Sequence, residues 1–174
     1  MRQESFQQDM QRFTSAVENL VQLISQESPV VQAANHASGA RLHEKLETFN
    51  QRVIGELHSL REAAVRLEEQ PEEHRVAVYI FTTAQVLEDE VDSTVAAIEE
   101  EEEEDDEDEN TNGAIQRARN WINNTLKPAI KRTLHKLWKL LANLLTPKEW
   151  KLRGEVGSSL LGLGSASVEI TFAP

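Results

Sequence analysis

Apolar residues fall into four stripes of helical spacing followed by one stretch of strand-like alternation. Phe6, Met10, Phe13, Val17, Leu20 and Ile24 recur in steps of four and three, which is the spacing of one helical face. Ser28-Pro29 ends that helix, because proline disfavours helical geometry in the residue before it. A second stripe runs through Leu42, Leu46, Phe49, Val53, Leu57, Leu60, Ala64 and Leu67, with its start left open between Val30 and Gly39. Gly55 lies inside it, at a cost of about 1 kcal/mol relative to alanine. Pro71 followed by Glu72 and Glu73 predicts a third helix start, with proline in the first turn and carboxylates at the positive end of the dipole. Val76, Ile80, Ala84, Leu87, Val91, Val95 and Ile98 then form its apolar face. The β-branched run Val76–Thr83 would suit a strand on its own. Its continuation into a long stripe selects helix.

A fourth stripe spans 114–145 through Ile115, Ala118, Ile122, Leu126, Ala129/Ile130, Leu134, Leu137, Leu141 and Leu144. Pro128 is expected to kink or split this helix, and Thr146-Pro147 to end it. Beyond it the period drops to two. Trp150, Leu152 and Val156 alternate with charged residues, and Ala166, Val168, Ile170 and Phe172 alternate with polar ones. Gly157, Gly162 and Gly164 lie between, so a β-hairpin is predicted, one that needs a partner surface to be stable.

Charge divides the chain in three. The net charge of −12 combines −8 over residues 1–98, eleven consecutive acids at 99–109, and +7 over 110–174. The acids are Glu99, Glu100, Glu101, Glu102, Glu103, Glu104, Asp105, Asp106, Glu107, Asp108 and Glu109, followed by the turn-forming Asn110-Thr111-Asn112-Gly113. Repulsion between neighbours predicts a solvated, disordered linker over 99–113. The resulting fold class is mainly α: three to four amphipathic helices in a bundle, a C-terminal hairpin and an acidic linker. The organisation predicted is a three-helix bundle over 1–98, the linker over 99–113, and a basic amphipathic helix plus hairpin over 114–174.

With no cysteine among 174 residues, disulfides, zinc–thiolate sites and thiol nucleophiles are excluded. The N-terminus has no apolar signal core and no run of about 18 apolar residues occurs, so a cytoplasmic protein is expected. Phosphate-cradling loops, zinc-protease motifs and nucleophile elbows are missing. Gly162-Leu163-Gly164 lacks the third glycine of a dinucleotide loop. His36, His43, His58, His74 and His135 share no metal-ligand spacing. No catalysis and no cofactor or metal are expected.

The basic helix is the candidate site. From Asn110 to Lys148 there is no acid, and Arg117, Arg119, Lys127, Lys131, Arg132, Lys136 and Lys139 lie opposite or beside an apolar face edged by Trp121 and Trp138. That pattern fits a bundle helix with a basic outer face, a helix on an anionic membrane, or one docked to a protein. Nucleic acid ranks last, since no base-reading module is recognisable and the chain is acidic overall. Self-association stays open. The acidic tract reads as a soluble spacer that repels aggregation or, in the sharper reading, as a regulatory segment that covers this helix.

The run Pro147-Lys148-Glu149-Trp150-Lys151-Leu152-Arg153-Gly154-Glu155-Val156, a glycine-serine stretch and Ser165-Ala166-Ser167-Val168-Glu169-Ile170-Thr171-Phe172 follow a helix. This order resembles the C-terminal half of the small trypsin-co-occurring domains of prokaryotic conflict and signalling systems. The resemblance covers about 60 residues, from the fourth helix onward, and rests on pattern. It implies a non-enzymatic module that couples a sensor or effector to a partner.

Overall fold

Every stripe position from Met10 to Ile98 is buried, and so are Ile115, Ala118, Ile122, Leu126, Ile130, Leu134, Leu137 and Leu141. All belong to one core cluster, against which Phe6 and Ala129 pack half-buried. The computed structural model describes residues 2–70, 74–104 and 109–144. The helices are α1 (Arg2–Glu27), α2 (Val30–Ala33), α3 (Ala40–Glu69), α4 (His74–Glu104), α5 (Glu109–Trp121) and α6 (Lys127–Leu144). The expected hairpin, the Pro71-Glu72-Glu73 helix start and residues 105–108 of the acidic tract lie outside the described residues.

Side-chain pairs along the helices set an up-down-up-down arrangement. Glu18 meets Arg61 at 3.8 Å and the Ser28 hydroxyl donates to Asn50 at 2.9 Å, so α1 and α3 are antiparallel. Lys45 donates to Ser93 and Arg52 pairs with Glu90, which makes α3 and α4 antiparallel as well. Phe81–Trp138, Asp92–Lys127 and Glu102–Arg119 then run α4 against the α5–α6 rod. The rod returns beside α1, with α6 packed along it. The three long helices have 26, 30 and 31 residues. At 1.5 Å per residue they span about 39–46 Å.

The region between Val30 and Gly39 resolves into α2 and a tight 3-10 turn, Ala34–His36. Ser28 connects it to the bundle, its hydroxyl accepting from the Val30 N–H at 3.3 Å.

The linker expected over 99–113 is corrected at both ends. Helix α4 continues through Glu99–Glu104, and α5 begins at Glu109, ahead of the supposed turn Asn110–Gly113. The physical reason is that two of the acids have positive partners. Glu101 Oε1 accepts from the Ser38 N–H (2.9 Å), the Ser38 hydroxyl (2.9 Å) and the Gly39 N–H (2.8 Å). Gly39 stands at the N-cap of α3, and the α4 carboxylate takes its N–H and that of Ser38 before it, as the glutamate of a capping box takes the N-cap N–H. Glu102 forms an ion pair with Arg119. Glutamate is also a good helix former, so repulsion alone does not melt the last turns.

The fourth helix splits as its proline suggested, through a wide turn. Residues Ile122–Leu126 form a π segment, closed by the Lys127 N–H bonding to the Ile122 carbonyl. Two causes meet there. Pro128 has no N–H, and its ring would crowd the carbonyl of residue 124 in a regular helix. The apolar positions 118, 122, 126, 130 and 134 are spaced by four throughout, and in a straight α-helix each such step drifts about 40° round the axis. The wide turn takes back that drift and keeps all five in the core.

Candidate interaction surface

With its apolar face in the core, the rod presents its cations outward. Lys131, Arg132, His135, Lys136 and Lys139 follow at i, i+1, i+4, i+5 and i+8, which places them on one face of α6. All five are exposed. Across from them α1 contributes Asp9 and Arg12, and with Pro128 these residues line an open groove of about 510 Å³. A second hollow of about 380 Å³ adjoins it, sharing Arg12 and Lys136 and floored by Gln8, Gln11, Ser15, Ala16 and Asn19.

The nine residues expected to form the site separate into three groups. Lys131, Arg132, Lys136 and Lys139 line the groove, and among the described residues none of them pairs with a carboxylate. Arg119 and Lys127 are neutralised by α4, through Glu102 and through Asp92 at 3.0 Å respectively. Arg117 is exposed on α5, outside the groove. The two tryptophans are packing groups. Trp138 meets Phe81 edge-on, with ring centroids 5.6 Å apart and planes at 74°, a favourable quadrupole arrangement. Trp121 packs half-buried against the core, and its indole Nε1 has no acceptor among the described residues.

Sequence reasoning missed Arg12, Asp9 and His135 as groove residues. Arg12 and Asp9 carry no signal by themselves, since they are ordinary polar positions of an amphipathic helix 3.9 Å apart. His135 carries one: it lies four residues after Lys131 and four before Lys139.

The acidic tract touches the basic rod only at its near end, through Glu102 and Arg119, among the described residues. Lys131 lies 12 residues beyond Arg119, about 18 Å along the rod. The acid-rich end of α4 and the groove are therefore separate surfaces at different levels of the bundle. The other histidine with partners, His43, donates from Nδ1 to the Ala34 carbonyl at 2.6 Å and lies 3.5 Å from Glu47. Among the described residues no group of three metal-ligating side chains forms, and no helix is long and apolar enough to cross a membrane. Compared with known protein families, curated proteins and solved structures, the chain matches none.

Proposed function

We propose that this protein is a non-catalytic, cytoplasmic interaction module that docks an acidic protein segment in the groove between α1 and α6. One observation carries the reading: Lys131, Arg132, Lys136 and Lys139 converge on an open concavity of about 510 Å³ with no carboxylate partner among the described residues, while Arg12 beside them pairs with Asp9 and the neighbouring cations Arg119 and Lys127 are matched within the fold. Unmatched cations beside a groove raise the local concentration of acidic ligands and speed their encounter. The resemblance of residues 147–172 to trypsin-co-occurring domains supports a regulatory role in a signalling or conflict system. The C-terminal hairpin belongs to the same proposal.

The membrane reading needs the apolar face of helix 114–145 to enter lipid, and that face is in the bundle core. Only electrostatic attraction of the basic face would remain for it, at about 1 kcal/mol per Lys or Arg near an anionic surface.

Fluorescence anisotropy with a labelled oligoglutamate peptide tests the reading. Binding should weaken at least tenfold in the double variant Lys131→Glu/Lys136→Glu and should fade as salt screens the contacts. Equal affinity in the variant would end the proposal. Co-sedimentation with anionic vesicles but no peptide binding would shift it to a membrane surface.

A further inference from the structure

We infer that the groove takes the acid-rich end of α4 from a second copy of this chain, so that copies associate head to tail. The inference rests on the groove's being an acidic-segment site, as proposed above. Glu99, Glu100 and Glu103 are exposed on the last turns of α4, while Glu101 and Glu102 are engaged inside their own fold. Among the described residues these three carboxylates have no ion-pair or hydrogen-bond partner, and together they form an acidic surface. Farther along the bundle Lys131, Arg132, Lys136 and Lys139 of the groove are likewise without a carboxylate partner among the described residues, and only Arg12 is paired there, with Asp9. The two surfaces are complementary in sign, and a single copy cannot bring them together. The acid end is held beside Arg119 by the Glu102 ion pair, and Lys131 lies 12 residues, about 18 Å, farther along the rod. Pairing them therefore requires two molecules.

Such a contact joins two different surfaces. Each bound copy still offers a free acid end and a free groove, so the assembly does not close on itself unless its rotation happens to form a ring. The net charge of −12 opposes association at long range. At physiological ionic strength that repulsion is screened beyond about 8 Å, whereas ion pairs at contact distance are screened far less. Association is thus expected near physiological salt and lost near molar salt.

The test is light scattering on the full chain with two complementary variants. The groove variant is Lys131→Glu/Lys136→Glu. The acid-end variant carries Glu99→Gln, Glu100→Gln and Glu103→Gln with the acids at 104–109 amidated, and keeps Glu101 and Glu102 for their structural contacts. Circular dichroism should show both as helical as the parent. The parent's weight-average mass should rise with concentration past twice the monomer mass, and each variant alone should stay monomeric. An equimolar mixture of the two should associate and stop at a dimer, because one supplies only an acid end and the other only a groove. A parent that stays monomeric at every concentration, variants that associate like the parent, or a mixture that stays monomeric would overturn the inference. If the parent stays monomeric but binds oligoglutamate through Lys131 and Lys136, the groove serves another protein and only this inference falls. If it does neither, the proposed function falls with it.

Discussion

Glu101 holds three donors on one carboxylate oxygen, two of them the backbone N–H groups of Ser38 and Gly39, which lead into α3. Its other oxygen, Oε2, is buried without a partner among the described residues. Replacing it should therefore act like removal of an N-cap, with Glu101→Ala lowering stability by about 1–2 kcal/mol in urea unfolding. Glu103→Ala, two positions on and exposed, should change stability by less than about 0.5 kcal/mol. Equal effects would mean that the cap contributes nothing. Glu56 makes the opposite case. Burial, and then the Glu90 carboxylate, raise its pKa above the ordinary glutamate value. An acid whose folded pKa is raised binds more protons folded than unfolded, so its ionisation removes stability as pH rises from the unfolded value through the folded one. Glu56→Gln should accordingly raise the melting temperature at pH 7, and the gain should shrink as pH falls below about 4, where the carboxyl is protonated in both states. A gain that stays constant with pH would assign the effect to something other than ionisation. Nothing in the sequence separates Glu101 from its ten acidic neighbours. Its role comes from Ser38 and Gly39, the latter 62 residues away, whose N–H groups at the start of α3 the packing brings to it.

Among the elements, the rod formed by α5, the π segment and α6 shows how the spacing of residues becomes a surface. Inserting one alanine after exposed Asn124 should rotate α6 by about 100° relative to α5, turning Leu134 out and Lys136 inward. The damage should exceed that of Leu134→Ala, which removes buried volume alone and should cost about 2–5 kcal/mol. An insertion tolerated better than Leu134→Ala would show that the wide turn absorbs an extra residue without changing the face of α6. The four stripes were legible because each repeats over many turns, and every stripe position described from Met10 to Leu141 is inside apart from half-buried Ala129. The wide turn was legible in part, through Pro128. The four successive steps of four residues, from Ala118 to Leu134, were its stronger sign. The acidic run misled because its composition describes solvation, whereas Glu101 and Glu102 find partners in α3 and α5 that only the packing brings near. The cations of the groove were readable as a face. The groove was not, because no sequence pattern says that α1, with Arg12, is the helix α6 lies against.

At the scale of the molecule, residues from all four long stretches share one core, and the rod contributes Ile115, Ile122, Leu126, Ile130 and Leu134 among others. Residues 1–98 alone can still form helices, but α1 and α4 would face water where the rod was. Their thermal unfolding should be broad and weakly cooperative, while the full chain unfolds in one sharp step; a sharp transition in the fragment would show three helices to be sufficient. The polarity of the bundle has a consequence at the laboratory bench. A chain of pI ≈ 4.9 is expected to bind an anion exchanger at pH 7 and to pass through a sulfonate or heparin column. Column surfaces, however, meet one side of a protein at a time, and this one turns cations outward at the α6 end and acids at the α4 end. It should be retained on both kinds of resin at the same pH, and Lys131→Glu/Lys136→Glu should abolish retention on the negatively charged resin alone.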